Sequence, residues 1–246
     1  MSHKPSSLDV HPANAPQHGF RGEQAMAADH PRLPEALTVA VSRESGSRGI
    51  VIAKRVAKQL DWSFYDQETL EYTAQEGHLS QQVFSQLDEQ QIQWVEERFN
   101  HLLEHKSISD NPSIQQLTRV ILAIGVRGEA VILGRGAGCV LPSASTLYVR
   151  VVAPLPDRIA FLSQLERLTP EQAAEQVCIR DQRRSQFVQT HFRRATMDLY
   201  QFDLILNSSQ LGEEISSALV KEAAIRKQAA WYEMSHPKDE LEPDLL

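Results

Sequence analysis

Short apolar runs of strand length alternate along this chain with stretches in which apolar residues return every three or four positions. Leu37-Thr-Val-Ala-Val41 is a β-type run that stops at a small polar loop, Ser42–Gly49. Ile52, Ala53, Val56, Ala57 and Leu60 then recur at helical spacing, with Lys54, Arg55 and Lys58 on the opposite side, which predicts an amphipathic helix directly after the loop. Trp62–Tyr65 predicts a second strand ending at Asp66. From about 67 to 129 the pattern is helical, broken near Gly77 and at Asn111-Pro112, with Leu87, Trp94, Val95, Phe99 and Leu102 as apolar packing positions. Ala130–Gly134, Thr146–Val152 and Asp203–Leu206 predict three more strands, and a long helix begins near Pro170.

Five strands separated by helices predict an α/β fold: a three-layer sandwich around a largely parallel five-stranded sheet, with a ligand crevice at the carboxyl ends of the strands. Residues 1–36 carry Pro5, Pro12, Pro16, Pro31 and Pro34 without an apolar period, which predicts a disordered leader. Residues 234–246, with Pro237 and Pro243 in an acidic context, predict a C-terminal tail, leaving 37–233 as one folded domain.

Composition narrows the function. With 25 basic and 32 acidic side chains the net charge is −7, a poor match to nucleic-acid backbones. The apolar runs are strand-sized, so no membrane span is expected. The N-terminus has no apolar core behind a basic stretch, which predicts no secretory signal and a cytoplasmic location. Cys139 and Cys178 stand outside disulfide or zinc spacing and read as small buried hydrophobes, and no metal site is expected.

Three segments carry candidate chemistry. In Ser42-Arg-Glu-Ser-Gly-Ser-Arg-Gly49, small residues at a helix entrance let the backbone turn sharply and present N–H groups to an anion. The orthodox phosphate-loop motif, GxxxxGK followed by Ser or Thr, is incomplete: neither the lysine nor the hydroxyl follows Gly49, and an ordinary strand-to-helix turn fits the segment as well. Arg135, in Gly134-Arg-Gly136, follows the third strand, where its planar guanidinium would meet a phosphate or fix the loop by an ion pair. In Arg180-Asp-Gln-Arg-Arg184, Arg180 and Arg184 are four apart and share a helical face, a repulsion eased by an anion among them or by solvent. Asp181 is suited to holding its neighbouring arginines. Asp66 either orients a nucleoside or caps the next helix.

Taken in order, SRESGSRGIVIAKRVAKQL, FYDQE, VILGRGAGCVL, the Arg180–Arg184 segment and YQFDLILNSS resemble the cytidylate kinase-like family over about 37–225. The resemblance implies a P-loop nucleoside monophosphate kinase fold with a helical insertion at about 67–129 and an arginine-bearing lid at about 167–195. It implies that ATP, with Mg²⁺, phosphorylates a nucleoside monophosphate, CMP or dCMP. Ser45, Gly46, Ser47, Arg48 and Gly49 would hold the ATP phosphates, Asp66 and Arg135 the acceptor, and Arg180 with Arg184 the transferring phosphoryl group and the donor, Asp181 standing beside these two in the catalytic set. The family's GSGGR-type loop reads Gly46-Ser-Arg-Gly-Ile50 here, with the arginine moved to position 48. Two further expectations follow from that departure and from the versatility of the fold: a nucleotide sensor without turnover, or a kinase for another small acceptor.

Overall fold

The computed structural model describes residues 34–195 and 198–235, so the expectations for residues 1–33 and 236–246 lie outside the described residues. Residues 34–36, expected in the leader, are held by the domain. Glu35 N–H donates to the Val126 carbonyl at 2.9 Å, and Trp231 Nε1 donates to the Pro34 carbonyl at 3.1 Å.

Strand β1 (Thr38–Arg43) leads through helix α1 (Gly49–Leu60) to β2 (Ser63–Tyr65). Four helices follow, α2 (Gln67–Gln75), α3 (Gly77–Ser85), α4 (Glu89–Glu104) and α5 (Pro112–Arg127). Next come β3 (Ala130–Leu133), α6 (Ala137–Val140), β4 (Thr146–Val152), α7 (Leu155–Glu166), α8 (Pro170–Phe192), β5 (Leu204–Asn207) and α9 (Ser208–Ser235), the last interrupted at Gly212. The long α8 starts where the sequence sets Pro170 after Thr169, whose side chain and that of Gln172 form a reciprocal cap.

The five strands form one parallel sheet in the order β2-β3-β1-β4-β5. Its alternation separates two cores. Val39, Val41, Val131, Val149 and Val151 pack with Ile52 and Val56 of α1 and Val220 of α9. Ala40 and Ile132 face the other way, against Trp94, Phe99, Val120 and Ile121 of α4 and α5.

Besides shifts of one residue at the ends of β2 and β3, three details differ from the sequence expectations. β1 continues past Val41 to Arg43, because β4 is long enough to pair Ser42 with Arg150 and Arg43 with Val151. β5 begins at Leu204 rather than Asp203, whose carboxylate instead accepts the Tyr148 N–H at 2.7 Å and pairs with Lys227 at 2.9 Å. Cys178 is exposed on α8 rather than buried. Among the described residues no helix is long and apolar enough to cross a membrane.

Candidate functional site

β1 leads toward β2 on one side, and its neighbour β4 leads through α7 and α8 to β5 on the other, so the two chains diverge beyond their carboxyl ends. There lies a cavity of about 290 Å³ lined by Ser42, Arg43, Gly134, Arg135, Tyr148, Arg150, Asp181, Arg184 and Phe187, among others. Four arginines, Arg43, Arg135, Arg150 and Arg184, meet two carboxylates there, Glu44 and Asp181. A desolvated cluster with more cations than anions is suited to an anionic ligand.

Each arginine arrives on a different element. Gly134 N–H donates to the Val41 carbonyl at 2.9 Å, which brings the turn after β3 against the end of β1. Arg135 on that turn ion-pairs with Glu71 of α2, and its guanidinium lies 4.3 Å from the Phe187 ring centre. Its Nε is buried without a hydrogen-bond partner. Arg150 Nη1 donates to Ser42 Oγ at 3.0 Å. Arg184 Nη1 is buried 3.6 Å from Asp181 and makes no hydrogen bond. Burial lowers the pKa of both Arg135 and Arg184 from the usual arginine value, only partly offset by Glu71 and Asp181 respectively.

The loop between β1 and α1 is tightly tied. Gly46 has φ +79°, and a Cβ there would stand 2.4 Å from the Arg158 carbonyl oxygen, so only glycine permits this approach of the loop to α7. Ser47 Oγ lies 2.9 Å from the Glu44 carbonyl and 3.2 Å from that of Val151, while Ser208 Oγ donates to the Ser47 carbonyl at 2.8 Å. Arg48 caps α1 in the left-handed region, φ 58°, a position that favours glycine. Its guanidinium is directed to Glu213 at 3.7 Å and the Phe161 ring at 4.8 Å.

An internal carboxylate occupies the loop. Asp181 of α8 accepts the Ser45 N–H at 2.6 Å and a bond from Arg158 Nη1 at 2.5 Å. Arg158 also donates to the Ala153 carbonyl at 3.0 Å and lies 3.5 Å from Glu44. Helix α8 thus sets its own anion on the Ser45 amide at the entrance of α1, a place where a bound anion would otherwise accept from the backbone.

Of the residues singled out in the sequence, Arg135, Asp181 and Arg184 converge on the cavity. Asp66 caps α2 through Thr69 N–H at 3.0 Å, a bond that holds its carboxyl below the usual range. It also lines an adjoining shallow trough of about 610 Å³ with Arg43, Ile50, Gln67, Glu71 and Tyr72. Arg180 does not line the cavity: Glu166 of α7 takes it in a two-pronged ion pair at 2.6 and 2.8 Å, and this pair, rather than a shared anion, relieves its repulsion from Arg184. Arg43, Arg150 and Arg158 were not singled out. Arg43 ends a strand at the carboxyl edge of the sheet, the same signal that drew attention to Arg135.

Among the described residues no three His, Cys, Asp or Glu side chains cluster as a metal site. Glu44 and Asp181 are engaged by Arg158, and Ser47 Oγ by carbonyls, so the loop as closed does not fit a directly bound Mg²⁺.

Residues 38–210, more than two thirds of the chain, match the cytidylate kinase-like family. The chain belongs to that family. This cytidylate kinase-like protein is also similar to a solved structure of an uncharacterized protein from Eubacterium ventriosum, at 15% identity and TM-score 0.54, covering 77% of this chain and 98% of the other. A shikimate kinase from Bacteroides thetaiotaomicron aligns at 14% identity and TM-score 0.41, over 76% of this chain and 97% of the other. No curated protein sequence matches. The parallel sheet with helices on both faces is the P-loop kinase-like α/β fold that the sequence led us to expect.

Proposed function

We propose that this cytidylate kinase-like protein transfers the γ-phosphoryl group of ATP to a nucleoside monophosphate, CMP or dCMP. The observation that carries the reading is the cavity with four arginines at the carboxyl ends of β1, β3 and β4, beside the phosphate loop. Arg135, Arg150 and Arg184 hold the acceptor phosphate, and the trough bearing Asp66 and Tyr72 receives the nucleoside. The N–H groups of Ser45–Gly49 receive the donor phosphates once Asp181 leaves the Ser45 amide. In the transfer the bond from the γ-phosphorus to the ADP oxygen breaks and a bond to an acceptor phosphate oxygen forms, in line and without a covalent enzyme intermediate. Protein groups contribute position and positive charge. Mg²⁺ enters with ATP on the nucleotide's own phosphates. The reading carries a cytoplasmic location, where both nucleotides are present, and no role for nucleic acid or membrane.

Nucleotide sensing without turnover is the second reading. It is supported by Ile50 at the position of the motif lysine and by Arg48 turned to Glu213 and Phe161. The deciding experiment follows ADP formation with CMP, dCMP, UMP, AMP or no acceptor, in the wild-type protein and in Arg135→Ala. Acceptor-dependent turnover that falls at least tenfold in the variant supports the kinase. Binding without turnover for any acceptor supports the sensor, and turnover only with an acceptor outside this set supports the fold acting on another small molecule.

A further inference from the structure

The orthodox phosphate-loop motif carries its lysine directly after the last glycine, and here Ile50 stands there. Ile50 is 41% exposed and lines the shallow trough, so a cation at that position would face the acceptor side of the loop. Arg48 does not compensate, because Glu213 and Phe161 engage it.

Arg43 lines that same trough and also the arginine cavity. It therefore stands at the wall between the two hollows. Two glycines make room for it: a Cβ on Gly49 would meet the Arg43 Cβ at 2.6 Å, and a Cβ on Gly134 would collide with the Arg43 guanidinium. Gly134 also has φ +84°. Of the four cavity arginines, Arg43 alone has a side chain with no hydrogen bond, ion pair or ring contact to any described residue. Arg135 has Glu71 and Phe187, Arg150 has Ser42, and Arg184 has Asp181 nearby. An unpartnered guanidinium held between glycines is costly to keep and ready for a ligand.

Resting on the kinase reading, we infer that Arg43, packed against Gly49 of the loop and lining the arginine cavity, supplies the phosphate-loop cation that position 50 lacks, contacting the phosphoryl group as it passes from the loop to the acceptor phosphate in the cavity. Its guanidinium offers two donors to the oxygens of that group, which carry the charge spread during transfer. Burial, with Arg184 and Arg135 close by, lowers its pKa to about 9, partly opposed by Asp66 and Asp181, so the group remains charged at neutral pH.

The test compares Arg43→Gln, Arg43→Lys and Arg48→Gln with wild type and with Arg226→Ala, an exposed α9 control. Turnover of ATP with the acceptor is followed together with calorimetric binding of inorganic pyrophosphate. The expected result is a loss of at least a hundredfold in kcat for Arg43→Gln with KM for the acceptor changed less than fivefold, partial recovery in Arg43→Lys, and pyrophosphate affinity down at least tenfold. The reverse ranking, with turnover lost in Arg48→Gln and kept in Arg43→Gln, overturns the inference. So does pyrophosphate binding that is equal in wild type and Arg43→Gln. If wild type binds pyrophosphate without turnover, the kinase reading fails while the binding comparison still judges Arg43. Thermal midpoints of all variants separate loss of function from loss of fold.

Discussion

Asp181→Asn removes the negative charge that α8 sets into the loop between β1 and α1. The carboxylate accepts from Ser45 N–H at 2.6 Å and from Arg158 Nη1 at 2.5 Å. Asparagine keeps one carbonyl oxygen for Ser45, but its amide group cannot accept from Arg158. One charge-assisted bond is lost, which costs about 1.5–3 kcal/mol. Arg158 retains the Ala153 and Ser45 carbonyls and its approach to Glu44, which holds the loss toward the lower half of that range. At about 2–4 °C per kcal/mol for a domain of this size, Tm falls by about 3–8 °C. Phosphate binding should move the other way. The carboxylate competes with an incoming anion for Ser45 N–H, and it draws charge from Arg184 at 3.6 Å. Its removal should tighten pyrophosphate binding at least tenfold, about 1.4 kcal/mol or more. Scanning calorimetry with and without pyrophosphate reads both effects. An unchanged Tm with weaker binding would refute the reasoning, because it would make Asp181 a ligand-supporting group rather than an occupant of the ligand's place.

Two further outcomes are expected. His191, bonded through Nδ1 to Ser109 Oγ at 3.0 Å, has its pKa lowered by burial and then by Arg135. The unfolded chain therefore takes up this proton first as pH falls through about 6.5, and stability present above that value declines below it. Thermal scans from pH 7 to pH 5 should show a fall in Tm that is shallower in His191→Asn; an equal slope would remove His191 from the account. Gly46→Ala adds a Cβ 2.4 Å from the Arg158 carbonyl oxygen at φ +79°. Left-handed strain of about 1–2 kcal/mol and overpacking of about 1–3 kcal/mol together predict a loss of about 2–5 kcal/mol in urea denaturation, and a loss under 1 kcal/mol would mean that the loop is not pressed against α7.

Part of the candidate cavity's lining, Arg135, Asp181 and Arg184, was legible because its signals are local. Arg135 sits directly after an apolar strand, and Arg184 lies on a helix that begins near Pro170, so a spacing of a few residues was enough to flag them. Arg43 was not flagged because the end of β1 depends on its pairing with β4, more than a hundred positions away. Arg180 and Arg184 share one face by spacing, yet a carboxylate from another helix, Glu166, decides that they do different things.

The sequence by itself determined the element types, the parallel α/β architecture, the turn at Gly46 and the presence of cationic side chains at strand ends, since periodicity and turn chemistry act over a few residues. The tertiary structure alone decided which charges meet. It brought Asp181 onto Ser45, 136 positions apart in the chain, turned Arg48 toward Glu213, and left the Arg43 guanidinium without a hydrogen bond or ion pair among the described residues, between two hollows. The physical reason is that ion pairing and desolvation depend on distances of a few ångströms between groups remote in sequence, and those distances exist only once the sheet has assembled.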